Sequence, residues 1–282
     1  MRHLIAAAIV AIAAPAAAQE VQVEEITFLS RDGKTQVKGY LFKPADAPAK
    51  LPAIVLMHGG AGAYSSLANG KYDASTLSSR HKAWAELLAR KGYVALMVDD
   101  FGAIGFPAGF AGTQVDRPAA IDPVDFRPLH AYGALQFLRS RADVVDTRIA
   151  LLGWSHGAIA TLAAMADDKP GEMRMPGFVA AVAIYPGCVL KNRFEKDGYK
   201  PYSPVRVFIG TADEKVSPKV CQTFVARSKA AGNDIALRVF EGATHSYDTP
   251  MTSRQSVKAN AEAKAATEAD VLAFLAARLK SQ

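Results

Sequence analysis

The sequence predicts an α/β protein: one domain over residues 19–282, built on a mostly parallel, twisted sheet with helices on both faces and an N-terminal β-hairpin. Three observations lead there. Short apolar runs alternate with longer helical stretches from Pro52 to the C-terminus, two β-rich runs flank an Asp-Gly turn near the start, and half of the 282 residues are hydrophobic. Alternation of strand and helix is the pattern of a parallel sheet covered on both sides. A chain of this length and apolar content can bury one large core.

The hairpin comes from Val23 to Ser30 and Thr35 to Phe42, joined through Arg31-Asp32-Gly33-Lys34. The apolar runs that follow are Ala53 to Met57, Val94 to Val98, Ile149 to Leu152, Phe178 to Ile184, Val205 to Ile209 and Ile235 to Phe240. Helices are expected near 78–91, 124–141, 155–167, 217–231 and 260–280. In the last of these, alanines and leucines alternate with lysines and glutamates, so one face should pack on the sheet. No repeat period and no low-complexity linker interrupts the domain. Two connections, Gly59 to Leu77 and Gly102 to Asp122, are long for a compact domain, which marks them as functional. Both leave the C-terminal ends of strands, where open α/β sheets bind ligands.

Residues 1–18 read as a secretory signal peptide. Arg2 and His3 precede an uncharged run from Leu4 to Ala14, then Pro15 and three alanines. A spanning helix needs about 20 apolar residues, so the run favours cleavage after Ala18 over retention as an anchor. The mature chain then has no membrane span and a periplasmic or secreted location. Removing Arg2 lowers the formal charge from +6 to +5. The basic residues are scattered, with no run of five and no stripe interleaved with aromatics, which argues against nucleic-acid binding.

The chemistry centres on Gly153-Trp154-Ser155-His156-Gly157, a G-x-S-x-G pentapeptide. The pattern alone is weak, but here it follows a buried strand, Arg148 to Leu152, and opens a helical stretch from Ala158 to Met165. That context is the nucleophile elbow of the α/β-hydrolase fold. A serine hydroxyl needs a base to take its proton, and in that fold the base follows the serine in the chain. Of six histidines, His3 lies in the signal, His58, His81 and His130 precede Ser155, and His156 adjoins it, which leaves His245. It occupies a glycine-bearing loop directly after the run ending at Phe240. The acid that orients the base should follow the preceding parallel strand. Of nine acids between Ser155 and His245, only Asp213 and Glu214 directly follow a strongly apolar run.

Acyl transfer also needs donors for a developing oxyanion. The backbone N–H of His156 is one, and the loop His58-Gly59-Gly60-Ala61-Gly62 supplies the second, assigned to Gly60. The flanking residues Ala61, Phe101, Phe106, Phe110, Trp154 and Tyr247 are candidates for the substrate pocket. The glycine loop does not fit a phosphate-binding motif, because a Walker pattern ending at Gly70-Lys71 would place Ser65 and Tyr72 at two required positions. No metal-ligand spacing is present, and no cofactor is expected.

With these motifs in place, the chain resembles the dienelactone hydrolase family across most of residues 24–282. Tyr93 to Gly102 and Tyr185-Pro186-Gly187-Cys188 look like segments of its exported members. The family's turn Gly210-Thr211-Ala212-Asp213 makes Asp213 the third member of the triad, with Glu214 as the alternative. Dienelactone hydrolases proper carry a cysteine in the elbow and often a glutamate where this chain has Gly59, so Ser155 points to the general esterase branch. The resemblance also implies that the strands preceding Cys188 and Cys221 are neighbours, so that the two could form a disulfide in an oxidising compartment. The expectation is a serine hydrolase cleaving small carboxylic esters or lactones through an acyl-enzyme. The alternatives are a polyester hydrolase or peptidase on the same fold and, from another class, a non-catalytic binding protein on a retired hydrolase fold.

Overall fold

The computed structural model describes residues 20–47, 50–110, 117–168 and 177–280. The expected signal segment, residues 1–18, lies outside the described residues, as do residues 111–116 of the second long connection. One sheet of eight strands organises the domain, in the order β1-β2-β4-β3-β5-β6-β7-β8. β1 (Val21–Leu29) and β2 (Gln36–Pro44) form the antiparallel hairpin, and β2 pairs antiparallel with β4 (Val94–Asp99). From β4 onward every pairing is parallel, through β3 (Leu51–Met57), β5 (Val144–Trp154), β6 (Ala181–Ile184), β7 (Val205–Gly210) and β8 (Ile235–Phe240).

Burial follows position in the sheet. Every residue of β3 and β4 is buried, as expected for central strands covered on both faces, whereas β1 at the edge is mostly exposed. The helices are α1 (Ser79–Arg90), α2 (Arg127–Ser140), α3 (His156–Met165), α4 (Pro218–Ala230), the single turn α5 (Thr252–Gln255) and α6 (Lys258–Leu279). α2 and α3 pack on each other and on β5, and Tyr199 ties α4 to the same side, its hydroxyl donating to the Leu162 carbonyl of α3 and its carbonyl accepting from Ser228 Oγ of α4. On the other side, the Lys280 ammonium at the end of α6 lies 4.4 Å from the Tyr93 ring that follows α1. α6 buries Ala263, Thr267, Val271, Leu275 and Leu279, four residues apart, so a single stripe faces the sheet. No helix among the described residues is long and apolar enough to cross a membrane.

Two strand boundaries differ by three residues or more from the sequence expectation. β5 begins five residues early, because Val144 pairs with Leu51 across a register irregularity before the regular ladder resumes at Ile149. β6 begins three residues late: Val179 donates to the Ile149 carbonyl, yet Phe178 donates to the Tyr202 hydroxyl, so this end of the run leaves the ladder. Cys188 and Cys221 form a disulfide with Cα atoms 5.1 Å apart, linking the segment after β6 to α4, which follows the adjacent strand β7.

Candidate active site

Ser155 stands between β5 and α3 at φ 51° and ψ −116°, a conformation disfavoured for a residue with a side chain. The two glycines of the pentapeptide make this turn possible by allowing backbone to approach backbone. A Cβ on Gly157 would lie 2.1 Å from the Met57 carbonyl oxygen, and one on Gly153 would lie 2.3 Å from that of Gly157. The Ser155 amide donates to the Ile184 carbonyl at 2.9 Å, which ties the turn to β6. His156 is the first residue of α3, so its N–H has no carbonyl one turn earlier to bond.

His245, in the loop after β8, reaches Ser155 from a separate element of the sheet. Its Nε2 lies 2.9 Å from Ser155 Oγ, and its Nδ1 lies 2.8 Å from Asp213 Oδ2. The Asp213 side chain is buried and also accepts the Lys215 and Val216 amides through Oδ1, which holds the carboxylate in its own turn. Glu214 has a different partner: its Oε2 accepts the backbone N–H of His245 at 3.0 Å. Asp213 therefore faces the ring and Glu214 the main chain of the same histidine.

A further carboxylate anchors this loop. Asp248, fully buried, accepts both the Trp84 and Trp154 indole N–H groups at 2.9 Å and the Tyr185 hydroxyl at 2.6 Å. The Tyr185 ring also lies 4.7 Å from the His245 ring. β5, β6 and α1 thus converge on a residue three positions beyond His245.

The glycine loop after β3 is held by a buried charge network. Arg127 at the start of α2 donates to Asp100 from Nε at 2.6 Å and from Nη2 at 3.1 Å. Nη2 also reaches the His58 carbonyl at 2.8 Å, and Nη1 lies 2.8 Å from His156 Nδ1. Burial alone would raise the Asp100 carboxyl, but the Arg127 guanidinium and the His58 ring, whose Nε2 lies 2.7 Å from Asp100 Oδ1, outweigh it and hold the group well below the usual carboxylate range. Burial, Arg127 and Arg117 together push His156 down to about 2. Gly60 lies within this loop, its carbonyl accepting the Phe110 amide at 2.8 Å.

Ser155 and His245 border an open cleft of about 830 Å³. Ser155, His156, His245, Gly60, Ala61 and Phe110 line it, together with Arg80, Arg117, Ile159, Glu214 and Lys215. Four of the pocket candidates lie elsewhere. Trp154, adjacent to Ser155 on β5, points away from it and is spent on Asp248. Tyr247 is fully buried, its hydroxyl 2.8 Å from that of Thr267 on α6. Phe101 is buried behind the cleft, edge-on to His58 at 4.5 Å with the Arg127 guanidinium 4.8 Å from its centre. Phe106 supports Phe110 from outside at 5.2 Å. Sequence reasoning missed Arg127, Asp100 and Asp248, because no local motif distinguishes a residue whose partners lie 27 to 164 positions away.

Comparison with known proteins agrees with this architecture. The chain superposes on the dienelactone hydrolase-like promiscuous phosphotriesterase from metagenomic libraries with a TM-score of 0.65 and 18% identity, covering 90% of this chain and 98% of the other. It superposes on brefeldin A esterase, a bacterial homologue of human hormone-sensitive lipase, with a TM-score of 0.63 and 19% identity, covering 96% and 81%. At these identities the likeness speaks for the fold alone. A hydrolase fragment of Escherichia coli K12, YghX, is 29% identical over 106 residues, which are 38% of this chain and 79% of the fragment. The dienelactone hydrolase family profile matches residues 37–279, from the second strand of the hairpin to the last residue of α6, and the chain therefore belongs to the dienelactone hydrolase family of α/β-hydrolases.

Proposed function

We propose that this hydrolase cleaves carboxylic esters of small molecules, lactones included, with Ser155 as nucleophile. The observation that carries the reading is the continuous hydrogen-bonded chain from Ser155 Oγ through the His245 ring to the buried Asp213 carboxylate, 2.9 and 2.8 Å long. His245 Nε2 takes the Ser155 proton as Oγ bonds to the ester carbonyl carbon, and Asp213 stabilises the imidazolium so formed. The His156 and Gly60 amides hold the carbonyl oxygen as it gains charge. His245 then gives its proton to the departing alcohol oxygen, leaving an acyl ester on Ser155. Water, deprotonated by the same histidine, cleaves that ester, and the acid leaves with the serine regenerated.

The disulfide between Cys188 and Cys221 supports an oxidising compartment, consistent with export and removal of residues 1–18. The test is hydrolysis of short-chain nitrophenyl esters, with fluorophosphonate labelling alongside. The wild type should turn over and label, and Ser155→Ala should lose roughly a million-fold in kcat and all labelling. Measurable turnover by folded Ser155→Ala would overturn the assignment. A folded wild type that neither labels nor turns over would point to a non-catalytic binding protein.

A further inference from the structure

The reaction above uses only the main chain of His156, yet its side chain is held more tightly than packing requires. A guanidinium carries donors and no acceptor. With Arg127 Nη1 2.8 Å away, His156 Nδ1 must present its lone pair, and the single ring proton must sit on Nε2. Arg127 cannot turn aside, because Asp100, the His58 carbonyl and the Phe101 ring occupy its other faces. The ring stays neutral, since a proton on Nδ1 would face a buried guanidinium with Arg117 also nearby. No described residue accepts a hydrogen bond from Nε2. His156 is only 8% exposed, and it forms part of the cleft wall beside Ser155, Phe110 and Ile159.

A donor fixed in place at a cleft wall, without a protein acceptor, is complementary to an acceptor on the ligand. His245, which serves the leaving alcohol, lines the cleft with its chain neighbour Ser246 and with Glu214, which accepts its backbone N–H, whereas His156 opens α3 next to the nucleophile, so the acyl chain is assigned to the His156 side. We propose that His156 Nε2–H, locked in this tautomer by Arg127, donates to an oxygen in the acyl chain of the substrate and selects for oxygen-bearing acyl groups. The inference rests on the ester-hydrolase reading and adds the class of acyl group that the cleft prefers.

The test compares nitrophenyl butanoate with nitrophenyl methoxyacetate, in which an ether oxygen replaces one chain methylene. The readout is the ratio of kcat/KM values, methoxyacetate over butanoate, so that intrinsic ester reactivity cancels between proteins. In His156→Phe the ratio should fall about threefold to tenfold, the worth of one neutral hydrogen bond. His156→Gln, which keeps an N–H donor, should hold more of the wild-type ratio than the phenylalanine variant. An unchanged ratio in His156→Phe would overturn the proposal. An independent measurement uses the wild type alone: a long-range ¹H–¹⁵N spectrum of its histidine rings, with and without methoxyacetate. The expected result is an unprotonated Nδ1 and an Nε2 resonance that moves with methoxyacetate but not with butanoate. A protonated Nδ1, or an Nε2 signal unmoved at saturation, would also overturn it. Failure of the wild type to cleave either ester would instead strike the ester-hydrolase reading.

Discussion

Asp213 and Glu214 are adjacent acids with unlike partners, and this separates their expected effects. Asp213 faces the His245 ring, while Glu214 accepts a main-chain N–H. Asp213→Asn should lower kcat roughly ten-thousand-fold, because an amide can fix the wrong ring tautomer and cannot stabilise the imidazolium. Glu214→Gln should cost less than about tenfold in rate and act mainly on stability, by about 1.5–3 kcal/mol at most, the usual worth of a hydrogen bond to a charged group. Steady-state kinetics with thermal melting of both variants checks this, and the larger rate loss in Glu214→Gln would exchange the two roles. His156 makes a pH prediction. Its folded-state value is pushed down to about 2 from an ordinary 6.5, so below pH 6.5 the unfolded chain takes up a proton that the folded one refuses. Its stabilising effect is complete above pH 6.5 and is lost progressively as pH falls toward 2. Urea unfolding between pH 6 and pH 4 should be steeper in pH for the wild type than for His156→Gln, by about 1.4 kcal/mol per pH unit at most. Equal slopes would place the ring in contact with solvent.

At the scale of elements, strand ends and helix starts bring the site together. α2 begins at Arg127, and that one side chain joins the end of β4 through Asp100, the loop after β3 through the His58 carbonyl, and the start of α3 through His156. Arg127→Met would leave Asp100 buried without its main counter-charge, and the unfolding free energy should fall by about 3–5 kcal/mol. A loss below about 1 kcal/mol on chemical denaturation would mean that water reaches the carboxylate. The disulfide works between elements too, since the turn carrying Asp213 lies inside the 33-residue segment that it closes. Replacing both cysteines by serine should remove about 4 kcal/mol of stability by the chain-entropy argument. Comparing the denaturation midpoints of the oxidised wild type and the double variant measures it; equal midpoints would assign the bridge no role in the folding equilibrium.

For the molecule as a whole, what was legible in the sequence was whatever depends on short-range pattern. Uninterrupted apolar runs such as Ala53 to Met57 and Val94 to Val98, alternating with helical stretches, read as strands of a sheet covered on both faces, and both are buried throughout. The turn glycines Gly153 and Gly157 announced a sharp strand-to-helix connection, because close backbone approach excludes other residues there. Chain order singled out His245 and narrowed its acid to two neighbours. The side-chain directions of Trp154 and Tyr247 were not legible, since adjacency to Ser155 or His245 in the chain says nothing of which face of the sheet a ring takes. Nor were the attachments of Arg127 and Asp248, whose partners become neighbours only when separate strands and helices close over one another. By itself the sequence determined the α/β architecture and the chain order of Ser155, the two acids Asp213 and Glu214, and His245, because both are written in local periodicity and linear order. Only the tertiary structure decided which acid faces His245, which rings reach the cleft, and which nitrogen of His156 carries its proton, because each depends on distances between segments remote in the chain.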